Sequence, residues 1–491
     1  MDVLAVAREA RETGPLCEVC LGRLVADRSF GLTNGDRGHS LRVAVALAED
    51  LPYEEPAEHC WVCEDESGAT AYEDWAERAL AALRGYDFDT YQVGTVVPPL
   101  LEENDLLLRE EVGLPTAAGD ALKAEFNREV GKRIGDGSGT EVDFERPDVQ
   151  VLLDLATGTV EIQVNSAFVY GRYRKLERDI PQTEWPCSAC NATGTKRGET
   201  CPECDGTGYR YDTSVEQLVA PVVRDAMDGS DAVFHGAGRE DVDARMLGGG
   251  RPFVVEVKEP RSREVDPATL QAAVNDVADG TVEVEGLAPA TYEMVERVKE
   301  HDASKRYRMD VTVKEPVGVA EFRAALDALA GATVHQETPQ RVDHRRASKT
   351  RTRKVYATDG ELLDANGDPL AADRGSLDAD GAPLDEDGDP LDGDGGQLET
   401  DAESPDRNEV ASTASTAATV EVHGEGGLYV KELVSGDDGR TTPSLAGELG
   451  VDARVAALDV LAVTGEDGPF EHPDYFRSGV KDIDPPAPTN E

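Results

Sequence analysis

All eight cysteines of this sequence occur in four C-x-x-C pairs, and this pattern constrains the fold more than any other feature. Two such pairs supply four thiolates, the ligand set of closed structural zinc sites. In a reducing compartment the pattern favours zinc over disulfides. We therefore predict two structural zinc ions that stabilise the fold. The expected ligands are Cys17, Cys20, Cys60 and Cys63 at the first site, and Cys187, Cys190, Cys201 and Cys204 at the second.

The second cysteine cluster suggests two further comparisons. Glycine-containing tails follow its pairs, so it resembles the zinc repeats of DnaJ-type chaperones, although compact ribbons of this kind are also common insertions. Pro186 before the first pair matches half of the zinc nucleoside deaminase signature, which also requires an upstream H-x-E. The H-x-E triplets of this sequence begin at His335 and His423, both downstream. The deaminase interpretation is therefore rejected.

Charge is the second strong constraint. The chain has 49 Lys and Arg against 99 Asp and Glu, a formal net charge of −50. We interpret this as adaptation to high salt, because a dense carboxylate surface stays hydrated where the Debye length is only about 3 Å. The competing interpretation, repulsion of nucleic acid, would require acidic residues on the functional face as well.

Length and composition limit the broad class. A chain of 491 residues with 39% apolar residues can form two or three domains with their own cores. No apolar run approaches the roughly 18 residues of a membrane span, and the N-terminus lacks a signal-peptide pattern. We expect a cytoplasmic protein without a membrane segment.

Hydrophobic periodicity predicts an α+β chain in which helices cover a sheet. A turn at residues 156–159 joins two β-rich runs and indicates a hairpin. The predicted helices cover residues 72–83, 121–134, 214–226, 267–277, 291–301 and 319–329. The predicted strands cover residues 149–155, 160–169, 253–258, 281–285, 305–314, 333–337 and 455–464.

Two basic segments stand out in this acidic chain. Residues 170–182 interleave cations with tyrosines, a composition that suits phosphate contact and base stacking but equally a solvated basic loop. Residues 340–356 form the strongest basic segment, and its concentrated charge favours polyanion binding. Strand alternation there would place Arg351 and Arg353 on one face. The candidate RNA contacts are Arg172, Arg174, Lys175, Arg345, Arg346, Arg351 and Arg353.

Residues from about 358 to 420 differ in composition from the rest of the chain. Asp-Gly units with few aromatic residues lead into a Ser/Thr/Ala-rich stretch. The spaced aspartates are similar to calcium loops, but no Glu or Gln ends them at the twelfth position. We therefore predict a disordered acidic insertion.

Residues 236–253 combine glycines, arginines and carboxylates in what we predict to be a turn-rich loop carrying the chemistry. Its segment 238–243, Gly-Arg-Glu-Asp-Val-Asp, resembles the catalytic motif of pseudouridine synthases, in which an arginine lies two residues before the nucleophilic aspartate. Further segments in the same order, at residues 170–176, 181–185 and 427–436, resemble the archaeal tRNA pseudouridine synthases that modify uridines 54 and 55 of the TΨC arm.

The resemblance implies a fold and a domain order. It predicts an N-terminal zinc module at residues 1–64 and a THUMP-like RNA-binding domain at 65–185. A zinc-ribbon-like cluster at 186–210 would follow. Residues 211–491 would form the pseudouridine synthase catalytic domain, with a mainly antiparallel sheet flanked by helices and interrupted by the acidic insertion.

The resemblance also assigns roles to residues. Asp241 matches the catalytic aspartate and Arg239 the arginine before it. Tyr307 matches the aromatic residue that stacks on the target base, and Lys431 the basic residue beside the nucleophile. The remaining matched substrate contacts are Val430 and Leu458. From the residues alone Asp243 is the nearest rival, although in an extended segment it would point away from the side of Asp241.

The chemistry of this family explains why one carboxylate is sufficient. The N-glycosidic bond breaks, the uracil turns, and carbon joins the same sugar without net redox change or hydrolysis. We therefore expect no catalytic cofactor. A cation such as Lys431 or Arg239 would keep Asp241 ionised, and Tyr307 would receive the base flipped out of the tRNA arm.

One alternative belongs to another class of protein. The chain would then be a non-catalytic tRNA-binding or chaperone-like zinc protein, with the central loop serving only structure. Under either interpretation we expect tRNA as the partner, no membrane partner, and a monomer.

Overall fold

The computed structural model describes residues 2–56, 58–300, 303–342, 348–370, 414–465 and 470–477. The chain divides into two units. The first comprises Met1–Ala167, Val223–Val233 and Glu256–Asp266, and the second comprises Phe168–Val222, Phe234–Val255 and Pro267–Glu491. Among the helices of these described ranges, none has the length and apolar character needed to span a membrane.

The first unit combines helices with a four-stranded sheet. Its helices are α1 (Val3–Glu12), α2 (Glu18–Arg23), α3 (Asn34–Glu49), α4 (Ala69–Ala82), α5 (Pro99–Glu111) and α6 (Leu122–Ser138). Its strands are β1 (Thr90–Val96), β2 (Glu141–Val142), β3 (Val149–Asp154) and β4 (Thr159–Val164). The strand order is β2-β1-β3-β4. β1 is parallel to β2 and β3, whereas β3 and β4 form the predicted antiparallel hairpin.

The predicted boundary at residue 64 does not separate two cores. Leu21 and Phe126, from opposite sides of that boundary, belong to one buried apolar cluster. The side chain of Arg23 is 1% exposed, and its Nη1 lies 2.5 Å from Asp105 Oδ1. A buried charge requires such a partner. The cysteine module and the following segment therefore belong to one unit, whose first stretch runs to Ala167 and not to the predicted residue 185.

The second unit is built on a ten-stranded sheet. The chain forms β5 (Ala167–Lys175), β6 (Thr195–Lys196), β7 (Glu199–Thr200), β8 (Asp231–Gly236), β9 (Arg245–Lys258), β10 (Val282–Ala290), β11 (Ala303–Gly318), β12 (Thr333–Gln336), β13 (Arg351–Leu363), β14 (Ala414–Gly424), β15 (Thr441–Thr442) and β16 (Ala453–Gly465). The helices are α7 (Val215–Ala226), α8 (Pro267–Ala278), α9 (Tyr292–Glu300), α10 (Val319–Leu329), α11 (Val430–Ser435) and α12 (Leu445–Leu449). β6 and β7 form a separate hairpin.

The large sheet is mixed. Its order is β10-β5-β9-β16-β11-β14-β13-β12-β15, with β8 paired to β9. β9 and β16 are parallel, whereas β11 is antiparallel to both β14 and β16. Alternation fixes its faces, since Tyr307, Met309 and Val311 are buried while the residues between them are exposed. The predicted α+β class is confirmed, with a sheet that is not purely antiparallel.

About half of the predicted loop at residues 236–253 belongs to strand β9. β9 begins at Arg245, so the loop proper is limited to residues 237–244. The consecutive glycines Gly248, Gly249 and Gly250 lie inside β9, where Gly248 has a φ of 54° and Gly250 a φ of 68°. A Cβ at Gly248 would lie 2.1 Å from the carbonyl oxygen of Leu461. Glycine is therefore needed there because two backbones approach closely.

The predicted acidic insertion is too long at both ends. Residues 358–363 belong to β13 and residues 414–420 to β14, and the two strands pair with Leu363 opposite Ala417. Polar composition misled the prediction because these strands have one exposed face. The part of the prediction from residue 371 to 413 lies outside the described residues.

Candidate active site

The loop between β8 and β9 rests on a buried ionic cluster. The Glu240 side chain is 1% exposed, and its Oε2 accepts a hydrogen bond from Arg251 Nε at 2.8 Å. The Tyr173 hydroxyl contacts both carboxylate oxygens, at 3.0 and 2.9 Å. Burial raises the pKa of Tyr173, which therefore serves as a neutral donor. This cluster leaves no local signal in the sequence, because its members come from β5, the loop and β9.

The same cluster holds the loop backbone. Arg251 Nη1 donates to the carbonyl oxygen of Ala237 at 2.7 Å, and Gln182 Nε2 donates to that of Gly238 at 2.9 Å. Each donor is itself buried, so the contacts are shielded from water. The short segment before Asp241 therefore has a defined path.

Lys175 is a predicted RNA contact that the structure corrects. Its side chain is fully buried, and its Nζ donates to the carbonyl oxygens of Ile180, Asp241 and Val242 at 2.7, 3.3 and 3.1 Å. Alternation along β5 turns Lys175 inward. It supports the loop from within and presents no surface to RNA.

Asp241 projects from this supported loop toward two cations. Its Oδ2 lies 3.3 Å from Lys431 Nζ and 3.3 Å from Arg341 Nη1, with the side chain 40% exposed. From the sequence, Lys431 or Arg239 is the expected neighbouring cation. The second cation is instead Arg341, from a 3₁₀ turn at Gln340–Val342 within the basic segment. Arg239 lies over the ring of Trp185, 5.6 Å from its centroid.

Asp243 lies on the same side as Asp241, contrary to the expectation for an extended segment. Lys431 Nζ is 3.0 and 2.9 Å from its two carboxylate oxygens. Partial burial opposes ionisation, but the hydrogen bond and charge of Lys431 lower the pKa of Asp243 below its usual value. The loop turns at Val242, so the strand alternation that would separate the two side chains does not apply. Asp243 is 64% exposed, more than Asp241.

Two further residues position the cations. Glu432 is buried on α11, and its Oε1 accepts a hydrogen bond from Arg341 Nε at 2.7 Å. Gln336 Nε2 donates to the carbonyl oxygen of Tyr429 at 2.9 Å, and its Oε1 accepts from the Tyr429 amide at 2.8 Å. Because Tyr429 precedes α11, these contacts fix the start of the helix that carries Lys431.

The loop and α11 border a cavity of about 800 Å³ in the second unit. All six predicted catalytic and substrate-binding residues line it, which brings together chain segments that are far apart in sequence. These residues are Arg239, Asp241, Tyr307, Val430, Lys431 and Leu458. The cavity also includes Lys305, which the sequence analysis passed over although it belongs to the same segment as Tyr307.

Burial changes the protonation of two groups on β11. It raises the pKa of Tyr307 to about 12, with Arg251 opposing and Asp241 adding to the shift. It lowers the pKa of Lys305 to about 8, with Arg251 adding to the effect and Glu240 opposing it. Tyr307 is therefore neutral over the physiological range, whereas Lys305 titrates just above it.

The carboxylate of Asp459 connects the strand that carries Leu458 to residues beside the loop. Asp459 follows Leu458 on β16, and its two oxygens accept hydrogen bonds from Arg245 at 2.9 and 2.6 Å. Arg178 Nη2 adds a contact of 2.7 Å to Asp459, and its Nη1 donates to the carbonyl oxygen of Leu458. The parallel pairing of β16 with β9 thereby fixes Leu458 relative to the end of the loop.

The remaining candidate RNA contacts differ in availability. Arg172 is 11% exposed, and its guanidinium binds Glu471 and backbone carbonyls, so it also supports the fold. Arg174 of β5 forms ion pairs with Glu283 and Glu285 of β10. Arg351 lines the cavity, and Arg353 lies beside it near Gly427, which agrees with a shared face. Arg345 and Arg346 lie outside the described residues.

Both cysteine clusters have the geometry of a metal site. Tetrahedral zinc with Zn–S bonds of about 2.3 Å places its sulfurs about 3.8 Å apart. The Sγ distances are 3.9 Å for Cys17 and Cys63, 4.0 Å for Cys187 and Cys201, and 3.7 Å for Cys190 and Cys204. In each cluster all four sulfurs lie within 4.8 Å of one another. The eight predicted ligands therefore form two groups that fit a metal ion.

Comparison with known proteins finds relatives over most of the chain. The family model described as Pus10, C-terminal, matches residues 168–368 and 407–464. The model of the archaeal Pus10 THUMP domain matches residues 75–154. A tRNA pseudouridine synthase Pus10 from Halorubrum lacusprofundi is 55% identical, covering 97% of this chain and 100% of the relative. One from Methanothrix thermoacetophila is 37% identical, covering 94% and 95%.

These matches define an RNA-modifying isomerase with an archaeal THUMP domain. The chain belongs to the Pus10 family of tRNA pseudouridine synthases. The alternative of a non-catalytic or chaperone-like zinc protein is thereby set aside. Among solved structures, a Cbf5-Nop10-Gar1 complex matches with 15% identity, a TM-score of 0.26, and coverage of 52% of this chain and 46% of the other. A likeness this weak supports no further inference.

Proposed function

We propose that this chain converts uridine 54, uridine 55 or both, in the TΨC arm of tRNA, to pseudouridine, with Asp241 as the catalytic residue. The observation that carries the proposal is the placement of Asp241 in the cavity, on a rigidly supported loop and between Lys431 and Arg341. Lys431 Nζ and Arg341 Nη1 each lie 3.3 Å from Asp241 Oδ2. An ionised carboxylate is the form that can act on a sugar as nucleophile or base.

The reaction conserves every atom of the base and sugar. The N1–C1′ bond breaks, the uracil turns, and C5 bonds to C1′. The hydrogen on C5 is then removed as N1 gains one. The ionised carboxylate of Asp241 supplies electrons at the sugar or accepts a proton. No oxidant, reductant or water is consumed, which is consistent with the prediction that catalysis needs no cofactor.

The walls of the cavity support a flipped-out base. Tyr307 lines the cavity while the residue as a whole is only 7% exposed, and Val430 and Leu458 add apolar surface. Because Tyr307 stays neutral, its ring provides stacking without a competing charge. A base removed from an RNA stack regains part of the lost energy on such a surface.

Cations near this cavity and the archaeal THUMP domain bind the RNA that surrounds the target base. Arg351 and Arg353 lie beside the cavity and suit contacts with phosphates. We assign structural zinc to both cysteine clusters, because thiolates at these distances suit a closed tetrahedral site. A cytoplasmic location and a monomeric state remain predictions.

Mapping of the modified position tests the substrate assignment. Unmodified tRNA incubated with the chain should gain pseudouridine at position 54, position 55 or both, measured by position-resolved chemical mapping. Replacing the modified uridine by cytidine should remove that signal alone, because cytosine is not the base the reaction accepts. Modification confined to another arm of the tRNA would contradict the proposal.

RNA binding should depend on pH through Lys305. Its pKa of about 8 means that the ammonium is present below pH 8 and lost above it. Raising the pH from 7 to 9 should therefore weaken RNA binding by about 1 kcal/mol, or roughly fivefold, as one cation in the cavity is lost. Lys305→Arg, which stays charged, should bind equally at both values. Titrations of both proteins with the same tRNA check this, and an equal pH dependence would exclude Lys305 as the source.

A further inference from the structure

A second aromatic surface borders the cavity at the base of the second cysteine cluster. Trp185 and Tyr211 pack edge to face, with ring centroids 5.5 Å apart at 79°. The Arg210 amide donates to the carbonyl oxygen of Trp185 at 2.9 Å, and Pro186 pairs with Tyr209 in a β-bridge. The chain thus enters the cysteine cluster after Trp185 and leaves it before Tyr211. Both rings are partly exposed to the cavity.

Two arginines lie over this surface without acidic partners. The guanidinium carbons of Arg210 and Arg239 are 5.7 and 5.6 Å from the centroid of Trp185. Both residues are exposed, and within the described ranges neither side chain forms an ion pair or a hydrogen bond. They can turn toward a phosphate without breaking an ion pair or a hydrogen bond.

A comparison within the chain shows how a structural pair of this type differs. Arg78 lies 3.9 Å from the centroid of Trp75, and its guanidinium also donates to the carbonyl oxygen of Gly158. Trp75 is buried. At Trp185 the guanidinium groups lie farther from the ring, the ring is more exposed, and within the described residues neither arginine side chain has a hydrogen-bond partner. This is expected for a site whose partner is another molecule.

The cavity has room for more than the target base. Its volume of about 800 Å³ lies in the upper part of the range of about 300–1,000 Å³ that holds a whole drug-sized ligand. Tyr307 lies on β11, whereas Trp185 belongs to the segment before the cysteine cluster, so the two rings are separate surfaces. A flipped uridine on Tyr307 leaves Trp185 available.

We propose that Trp185 stacks a second unpaired RNA base next to the target uridine, while Arg210 and Arg239 bind the phosphate backbone of that nucleotide. The proposal rests on the assigned RNA-modifying function and adds a binding site to it. Stacking on an aromatic ring is tolerant of base identity, since every base has a π face. The site would hold the RNA strand as the target leaves its stack.

RNA affinity tests the proposal in the Asp241→Asn background, where no reaction is expected to intervene. With a TΨC stem-loop as the probe, Trp185→Ala should weaken binding by about 5- to 150-fold, the range of about 1–3 kcal/mol for one stacked base. Trp185→Phe should stay within a few-fold of the parent, because it keeps an aromatic face. Equal affinity of the alanine variant and the parent would overturn the proposal.

Tryptophan fluorescence gives a second reading that does not depend on how well the alanine variant folds. RNA should quench the emission of the parent, whose sequence contains three tryptophans. The quenching should disappear in Trp185→Phe and persist in the matched control Trp75→Phe. Quenching retained in Trp185→Phe would contradict a base at this ring.

Abasic probes locate the second base. Removing the base on one side of the target uridine should weaken binding by the parent, and the same probe should abolish the difference between the parent and Trp185→Ala. If neither flanking position does so, the proposed site is wrong. Failure of the assigned substrate is recognised by a different readout, because the wild-type chain would then form no pseudouridine at positions 54 and 55.

Discussion

Glu240→Ala is expected to lower the free energy of unfolding of the second unit by about 3–5 kcal/mol, because it leaves buried cations without their counter-charge. Arg251 is 1% exposed and Lys175 is fully buried, and both lie within 4 Å of the Glu240 carboxylate. The variant also removes the acceptor of the Tyr173 hydroxyl. Denaturant unfolding at constant salt measures the change, with the transition of the second unit followed separately.

An exposed pair on the same sheet gives the matched control. Arg308 and Glu421 pair across β11 and β14, with side chains 48% and 33% exposed. Glu421→Ala should therefore cost no more than about 1 kcal/mol. A second variant, Glu240→Gln, keeps the volume but removes the charge, and should fall between the parent and Glu240→Ala. If Glu240→Ala and Glu421→Ala cost the same, the buried cluster does not hold the loop as described.

Periodic segments of the fold were predictable from sequence. The helix at residues 319–329 matches α10 because Phe322, Leu326 and Leu329 recur at helical spacing on its buried face. The start of β9 was missed because consecutive glycines normally indicate a turn. Here Gly248 is required by the nearby backbone of Leu461, a contact with a residue more than two hundred positions away. Such a contact leaves no local signal.

The candidate site, like the fold, could be predicted from the sequence only in part. Asp241, Tyr307 and Lys431 follow from motif resemblance, and the structure brings all three to one cavity. Arg341 could have been suspected only as one cation in a basic segment, since its place beside Asp241 depends on tertiary folding. Lys175 was misassigned because composition records its charge but not its inward direction. The exposure of a basic side chain and its hydrogen-bond partners, rather than its residue type, distinguish a cation that supports the fold from one that can contact RNA.

Asp241→Asn is expected to lower the rate of pseudouridine formation by at least about 10⁴-fold at saturating RNA, on the scale of losing a nucleophile or essential base. The amide cannot form the bond to the sugar or accept the proton. The variant keeps the shape of the side chain, and the loop is held by backbone contacts from Lys175, Gln182 and Arg251. Folding and RNA binding should therefore persist.

Asp243→Asn is the matched control for this change. Asp243 contacts the same lysine, lies two residues away and loses the same charge on substitution. Because Asp243 is more exposed than Asp241, its variant should retain activity within about tenfold of the parent. A comparable loss in both variants would mean that shared electrostatics, rather than a reacting carboxylate at Asp241, sets the rate.

Single-turnover pseudouridine formation in tRNA by the parent, Asp241→Asn and Asp243→Asn tests most directly whether Asp241 performs the isomerisation. RNA affinity is measured on the same samples. We predict product with the parent and with Asp243→Asn, and none above background with Asp241→Asn, whose RNA binding is retained. Product formed by Asp241→Asn at the rate of the parent would contradict the assignment.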